Sequence, residues 1–505
     1  MRQWIGVDIG TQGTKGILFD AMLHPLASAF RASHLIQPQA GTVWQEPSEI
    51  LQSVVEVLSE LMHAASADAN AVGGIGIDSQ MAGILGIGVD GESVTVYDSW
   101  LDTRCAPQIE QMRVRVGEAV TQTTGGPVSC THGPKILWLQ QEQPSVFAQV
   151  EKFVLPHSYV VCRLAGLDAS AAYFDHTCLQ YSGFGDNANR CWSNELLQAF
   201  GVPRSKMARI VSPFEVIGGM SEGMARRCGL KSGTPLVAGA GDTAATIFGT
   251  GMFEPGYLLD CAGTASVLCG VVDRYVPDTE HQTLSMMRSP EDGLWFPLAY
   301  ISGGGMSLRW IRDQLGGSAD YDALEKLAQD VPPGSEGLLF IPHWSGRVLP
   351  SDPTMKGAYL GMDLKHTVAH LYRAAMEGVA YEYDVYLQAL RNLFPTQTLH
   401  EMFSVGGGAK SRLMMQIKAD VLGLPVRSFQ LSDAALCGSA AIAAHGTGCM
   451  PDYRERILTA RQERLLLVPQ QSVRTCYHAA STAYRDALAA LSAFYKGDSY
   501  TRMRN

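Results

Sequence analysis

The chain has 505 residues, a formal net charge of −10 and 46% hydrophobic residues. Its length predicts two domains, because a single hydrophobic core rarely grows beyond about 250–300 residues. The acidic balance and the scattered Lys and Arg residues argue against binding to nucleic acid, and no uncharged apolar run is long enough to span a bilayer.

The first residues and the cysteines bear on the compartment. The opening MRQWIGVDIG predicts a strand and lacks the pattern of a secretory signal. The 11 Cys residues are scattered without a C-x-x-C pair, which argues against a disulfide framework or a zinc site. We therefore expect a cytoplasmic protein.

Strand-like and helix-like segments alternate along the chain, which predicts an α/β fold. In the first half we predict hairpin strands at 4–8 and 15–19, helices at 47–66, 100–117 and from Pro134 to 142, a buried strand within 71–81, and a strand, Gly-rich turn and helix over 234–252. The second half repeats this order with a hairpin at 257–273, helices near 304–315 and 366–392, and a strand, loop and helix at 402–423. We place the boundary near residue 250, with a cleft between domains 1–250 and 251–505.

Two turns rich in Gly and Thr occupy matching places in the two halves, in GTQGTK and in AGTAS. Such turns expose backbone N–H groups and hydroxyls that bind phosphate oxygens, although either turn alone is equally explained as the closure of a hairpin. As a pair they favour a clamp that holds one polyphosphate from both sides. The residues assigned to this clamp are Thr11, Gln12, Gly13, Lys15, Gly263 and Thr264.

Two charged residues flank the first turn. Asp8 ends the first predicted strand and is a candidate Mg²⁺ ligand, directly or through water, because nucleoside triphosphates arrive with Mg²⁺ and this ion prefers a few carboxylates. An Asp that caps the turn is the alternative. Lys15 either reaches a terminal phosphate or is an ordinary solvated lysine.

Two further Gly-rich loops are candidate nucleotide contacts. GGGAKSR, at 406–412, follows a predicted strand and opens a helix, so its N–H groups suit an anion or a nucleotide. A tight turn is the simpler alternative. The second loop lies in YISGGGMSLRWIRD, at 300–313. The residues that we assign from the two loops are Gly304, Gly407, Gly408 and Lys410.

The sequence resembles the FGGY carbohydrate kinases, and within them the xylulose kinases, over nearly its whole length. The motifs that carry the resemblance are GVDIGTQGTK, GIDSQMAG, SWLDTRC, PKILWL, GAGDTAATIFGTG, AGTAS and GGGAKSRLMMQIKADVLGLPV. The resemblance implies two actin-like, ribonuclease H-like domains with a central ATP and sugar cleft, the sugar bound by 1–250 and the nucleotide by 251–505. It also implies transfer of the γ-phosphate of ATP to a sugar hydroxyl.

The resemblance places the catalytic carboxylate at Asp242, in GAGDTAA. A carboxylate on a Gly turn at the mouth of a cleft is suited to accept the proton of the attacking hydroxyl, and Asp242 is also a candidate for holding Mg²⁺, directly or through water. An N-cap for a helix beginning near Thr243 is the alternative. The resemblance assigns sugar binding to Gln80, Met81, Asp102 and Asp242.

Two positions depart from the xylulose kinase pattern. Ala82 stands where a His is usual, and Leu101 stands where an Asn is usual. The resemblance makes D-xylulose the leading substrate. Because a lost hydrogen-bonding position changes specificity steeply, glycerol or another ketose or polyol is the alternative. Outside the sugar kinases, an actin-like ATPase switch without phosphotransfer and a sugar-sensing regulator also use such a fold. The C-terminal helix at 474–495 fits core packing or a homodimer contact equally well.

Overall fold

The computed structural model describes residues 2–64, 68–317, 319–430, 433–497 and 500. The strands of the first half are β1 (Gln3–Ile9), β2 (Gly13–Phe19), β3 (Pro25–Ala32), β4 (Trp44–Gln45), β5 (Val72–Ser79), β6 (Leu85–Ile87), β7 (Tyr97–Asp98), β8 (Lys152–Val154), β9 (Tyr173–Asp175), β10 (Gly185–Asp186), β11 (Cys191–Trp192), β12 (Arg209–Val211), β13 (Val216–Gly219) and β14 (Pro235–Val237). The helices of this half are α1 (Pro47–Ala64), α2 (Ala106–Thr124), α3 (His132–Glu142), α4 (Pro144–Gln149), α5 (Pro156–Ala165), α6 (Asn194–Ala199), α7 (Glu222–Cys228) and α8 (Asp242–Gly249).

The second half contains a second large sheet and the longer helices. Its strands are β15 (Tyr257–Ala262), β16 (Ser266–Gly270), β17 (Ser285–Arg288), β18 (Trp295–Ile301), β19 (Leu339–Ile341), β20 (Ala358–Leu360), β21 (Glu401–Val405), β22 (Val426–Gln430) and β23 (Gln462–Leu467). Its helices are α9 (Gly304–Leu315), α10 (Tyr321–Gln329), α11 (Val368–Leu393), α12 (Arg412–Leu422), α13 (Ala434–Gly446), α14 (Tyr453–Ala460) and α15 (Arg474–Lys496).

The two large sheets repeat one topology. Their strand orders are β13-β14-β5-β1-β2-β3 and β17-β18-β16-β15-β21-β22-β23. In each sheet an antiparallel hairpin, β1–β2 or β15–β16, pairs in parallel with a third strand, β5 or β21, and that strand pairs in parallel with a fourth, β14 or β22. The predicted α/β class with a repeated hairpin is therefore confirmed.

The two halves share a layer of helices. A Cβ added at Gly6 or Gly76 would lie 2.1 or 2.0 Å from a backbone oxygen of α13, so α13 of the second half packs directly on the sheet of the first. Likewise, a Cβ at Gly249 or Gly438 would lie 1.9 or 2.2 Å from a backbone oxygen of the other helix where α8 and α13 cross. The hydrophobic core of the first sheet thus includes α13, and the division into 1–250 and 251–505 stays a prediction.

Helix positions agree with the predictions except for both ends of α2, which spans Ala106–Thr124, and the start of α3. The helix expected at 100–117 is α2, which begins at Ala106, because residues 99–105 form turns before it. The helix expected behind Pro134 begins two residues earlier, at His132. The predicted end of the first helix, at residue 66, lies outside the described residues. No helix in the described part of the chain is long and apolar enough to cross a membrane.

Candidate active site

Asp8 and Asp78 lie side by side on the parallel strands β1 and β5. Ser439 of α13 donates a hydrogen bond of 2.6 Å to Oδ2 of Asp78, whereas the buried Oδ1 atoms of both aspartates have no partner among the described residues. Burial, followed by the negative charge of Asp242, raises the pKa of Asp8 to about 7. Burial and the Asp8 charge also raise the pKa of Asp78 well above its usual value. The Asp8 charge is therefore held in a poorly solvated place, within range of the negative charge of Asp242.

Asp242 begins α8, and the residue before it, Gly241, forms a parallel bridge with Ser79 at the end of β5. The backbone N–H of Thr243 donates to Oδ1 of Asp242 at 2.5 Å and the Thr243 hydroxyl donates at 3.1 Å. Burial raises the pKa of Asp242 to about 6 despite these two bonds. Gly241 is the N-cap, so the alternative of an Asp242 N-cap is wrong: Asp242 is the first helical residue.

The charge of Asp242 acts on residues of both repeated hairpins. Its charge contributes to the raised pKa of Asp8, at the end of β1. Burial, the Asp260 charge and the Asp242 charge together raise the pKa of the Cys261 thiol, on β15, to about 12. Asp242 is therefore within electrostatic range of both halves of the predicted clamp.

A hydrogen-bonded wall joins the first turn to the predicted sugar motif. Nε2 of Gln80 donates to Oε1 of Gln45 at 2.7 Å, and Oε1 of Gln80 accepts from the Thr11 hydroxyl at 3.2 Å. Nε1 of Trp100 donates to the same hydroxyl at 2.9 Å. Thr11 thus contacts the sugar motif as well as belonging to the first turn.

Met81 and Asp102 complete the predicted sugar set in different ways. The Met81 side chain lies next to Asp242, since a Cβ at Gly241 would be 2.5 Å from its Cε. Asp102 is only 1% exposed, and its carboxylate accepts from Val43 N at 2.8 Å and from Nε of Arg104 at 2.8 Å. Asp102 therefore fixes the local turn, and its predicted contact with sugar stays a prediction.

Lys15 of the first turn forms an ion pair with the second half of the chain. Its Nζ lies 2.7 Å from Oδ2 of Asp433, which is the N-cap of α13. Gln12, at the tip of the turn, is exposed. Residue 13 has to be a glycine, because a Cβ there would clash with the backbone oxygen of Arg31 at 2.4 Å.

The second turn packs against the start of α9. Met306 N donates to the backbone oxygen of Thr264 at 3.0 Å, and a Cβ at Gly304 would lie 2.0 Å from Oγ of Ser266. Gly263 N is also hydrogen-bonded within the turn, to the backbone oxygen of Ala265 at 3.0 Å. The predicted residues Gly263, Thr264 and Gly304 therefore lie together.

The 406–408 loop lies beside the same turn. A Cβ at Gly408 would be 2.8 Å from the Cβ of Ala262, the last residue of β15. Gly407 is exposed, with open space where a Cβ would project, and Lys410 is also exposed. The structure thus brings the three Gly-rich segments of the second half together at one end of its sheet.

A buried chain of polar side chains behind Asp242 was not predicted as part of the site. Oγ of Ser79 and Nδ1 of His157 are 2.7 Å apart, and Nε2 of His157 is 3.1 Å from Oδ2 of Asp175. Thr177 donates to Asp175 and accepts from Gly241 N at 3.0 Å. His157 thus links Ser79, at the end of β5, to Asp175. Asp78 was not predicted as a site residue. The signal that could have identified it is the strand ending in IGID, at 75–78, which matches the IGVD at 5–8 that ends in Asp8.

The carboxylates fit a magnesium ion that is held mainly through water. Among the residues that the structure describes, no three His, Cys, Asp or Glu side chains are placed to ligate one metal ion directly. The unpartnered oxygens of Asp8 and Asp78, and the raised pKa of Asp8, indicate negative charge that a cation would offset. Mg²⁺ prefers to keep several waters and to bind one or two carboxylates together with phosphate oxygens. Asp8 and Asp242 are the residues that would hold it.

Comparison with known proteins assigns the family. Residues 3–249 match the model for the FGGY family of carbohydrate kinases, N-terminal domain, and residues 261–447 match the model for the C-terminal domain. The chain is 26% identical to the xylulose kinase of Bacillus subtilis strain 168 over 465 residues, which is 90% of each chain, and 25% identical to the gluconokinase of the same strain over 463 residues, covering 89% of this chain and 88% of that one.

A solved structure of a xylulose kinase from Rhodospirillum rubrum superposes with a TM-score of 0.89 at 26% identity, over 98% of this chain and 100% of that one. The duplicated sheets are accordingly the two actin-like, ribonuclease H-like domains of this fold. The activity of the family is phosphotransfer to an alcohol group. The chain belongs to the FGGY family of carbohydrate kinases.

Proposed function

We propose that this sugar kinase transfers the γ-phosphate of ATP to a hydroxyl of a ketopentose, with D-xylulose as the leading substrate. The observation that carries the proposal is the position of Asp242, which lies next to Met81 and within electrostatic range of both hairpins. The xylulose kinases among its relatives favour the ketopentose. Gluconate is the second candidate, because a gluconokinase relative is similar to nearly the same degree and Ala82 removes a usual xylulose kinase residue.

The proposed reaction uses Asp242 as general base. A carboxyl with a pKa of about 6 is largely ionised at neutral pH and accepts the proton of the sugar hydroxyl. The hydroxyl oxygen forms a bond to the γ-phosphorus while the bond from that phosphorus to the β–γ bridging oxygen breaks, and ADP leaves. The hydrogen bonds from Thr243 hold the carboxylate in place.

The two turns bind the polyphosphate from both sides in this proposal. The backbone N–H groups near Thr11 and Gly263, together with Lys15, supply the positive potential that a phosphoryl transition state needs. Asp8 and Asp242 would hold Mg²⁺ through water, and the ion would neutralise phosphate charge when bound. The nucleotide lies along the exposed Gly407 and Lys410 of the second half.

A coupled ADP-release assay on the full chain tests the proposal, with D-xylulose, D-ribulose, gluconate and glycerol as acceptors. We expect sugar-dependent ADP release, and Asp242→Asn should lower kcat on the order of a hundred- to ten-thousand-fold while MgATP binding persists. Asp486→Asn, at an exposed aspartate of α15, is the matched control and should change nothing. If gluconate is the best acceptor, it replaces the ketopentose as the proposed substrate. ADP release that no acceptor stimulates would favour an ATPase switch without phosphotransfer.

A further inference from the structure

Two cysteines lie close together beside the predicted sugar motif. Sγ of Cys105, the residue before α2, is 3.4 Å from Sγ of Cys130, in the loop before α3. The two residues are 25 positions apart in sequence, and each is a free thiol. A disulfide has an S–S distance of about 2.05 Å, so the sulfur atoms need to approach by little more than 1 Å.

The chemistry of the pair differs between its members. Cys105 is 1% exposed, whereas Cys130 is partly exposed and therefore accessible to a small oxidant. The hydrogen bond from Cys105, and after it the positive charge of Lys135, lower the pKa of the Cys130 thiol. Thiolate character and exposure together make Cys130 the more reactive sulfur. Cys105 is placed to resolve an oxidised Cys130.

The pair is tied to the sugar motif by hydrogen bonds. The Cys130 thiol donates to the backbone oxygen of Asp102 at 2.7 Å, and Nζ of Lys135 donates to the same oxygen at 2.8 Å. Loss of the thiol proton removes the first of these bonds. The segment from Asp102 to Cys105 is only four residues long, so movement of the Cys105 sulfur displaces the turn that Asp102 fixes.

We propose that Cys105 and Cys130 form a reversible disulfide that lowers the affinity of this kinase for its sugar. The oxidant is a peroxide: the Cys130 thiolate attacks one peroxide oxygen, the O–O bond breaks, and a sulfenic acid forms with release of water. The Cys105 sulfur then attacks the Cys130 sulfur, the S–O bond breaks, and a second water leaves. Two thiols and one hydrogen peroxide thus give one disulfide and two waters. The effect on turnover depends on the proposed sugar kinase reaction, but the disulfide does not.

Peptide mapping of the full chain after treatment with hydrogen peroxide tests the disulfide. We expect a cross-linked Cys105–Cys130 peptide that dithiothreitol removes. The KM for D-xylulose, or for the best acceptor found, should rise at least about tenfold, since a displaced hydrogen-bonding group in a sugar site has that effect. The affinity for MgATP should stay within about twofold.

Cysteine variants separate the pair from general oxidation. Cys130→Ser should lose the cross-link and keep its own activity under peroxide, whereas Cys191→Ser, at an exposed cysteine of β11, should behave as the unchanged chain. Absence of the cross-link, or a cross-link that leaves the KM unchanged, overturns the proposal. If the reduced chain phosphorylates no acceptor, the proposed function fails. The peptide map then still decides whether the disulfide forms, and the melting temperature of the oxidised chain decides whether the disulfide alters the fold.

Discussion

Lys15 and Asp433 form an ion pair of 2.7 Å between the first turn and the start of α13, across 418 residues of sequence. The Lys15 side chain is 38% exposed and that of Asp433 is 23% exposed. A partly exposed pair contributes only about 0.2–1 kcal/mol to stability. We therefore propose that the lysine exchanges the aspartate for a bound phosphate.

Lys15→Met should weaken MgATP binding at least about fivefold, because a phosphate oxygen loses a cationic partner. In a double-mutant cycle with Asp433→Asn, the coupling in the free energy of unfolding should stay below about 1 kcal/mol. Titration calorimetry and urea unfolding measure the two quantities. Unchanged MgATP affinity in Lys15→Met would leave the lysine with a structural role alone.

The pH dependence of kcat/KM should follow the Asp242 carboxyl. A base with a pKa of about 6 is protonated and inactive at lower pH, so the rate should fall tenfold per pH unit below about 6 and level off above it. Thr243→Val removes a hydrogen bond that favours the ionised form, so this variant should move the fall to higher pH. Full pH–rate profiles of both proteins provide the measurement. If Thr243→Val does not change the pH at which kcat/KM falls, a residue other than Asp242 is the base.

Asp8→Asn should stabilise the nucleotide-free protein at pH 8 while it weakens MgATP binding. The folded pKa of Asp8 is about 7, above its usual 3.8, so the folded state binds more protons than the unfolded state between these values. Stability from this group is consequently lost as pH rises from about 4 to 7, and the neutral amide avoids that loss. We expect a melting temperature about 2–4 °C above that of the unchanged chain at pH 8, and no such gain at pH 4.

Thermal unfolding at both pH values, with and without MgATP, decides the Asp8 prediction. Asp20→Asn is the matched control, because Asp20 also lies beside a turn of the same sheet but far from the strand-end carboxylates. A lower melting temperature for Asp8→Asn at pH 8 would contradict the unfavourable burial of the Asp8 charge inferred for this site.

Ala82→His tests the substrate. If the native acceptor is D-xylulose, the added imidazole restores a hydrogen bond to a sugar hydroxyl, and the KM should fall roughly tenfold with little change for ATP. Ala82→Phe adds similar bulk without ring nitrogens and should raise the KM. Weaker binding of D-xylulose by Ala82→His, together with a better alternative acceptor in the unchanged chain, would show that Ala82 makes room for another substituent.

The sequence predicted the elements that are defined by local patterns. The repeated hairpins, the helix at 304–315 and the Gly-rich loops are found where the patterns place them, because turns and amphipathic helices depend on nearby residues. The pairing of Lys15 with Asp433 and of Asp78 with Ser439 joins residues more than 350 positions apart, and no local pattern encodes such contacts. The late start of α2 likewise depends on Asp102, whose carboxylate binds the distant Val43.

The crossing of α8 and α13 at Gly249 and Gly438 has a mechanical consequence. Asp242 begins α8 and Asp433 is the N-cap of α13. The two carboxylates therefore lie at the N-terminal ends of two helices that are in backbone contact. Both helices lie in the hydrophobic core of the first sheet, so their contact fixes the spacing of the two charges. A methyl group added at Gly249 would push α8 and α13 apart. It would thereby displace Asp242, although the two residues lie at opposite ends of α8.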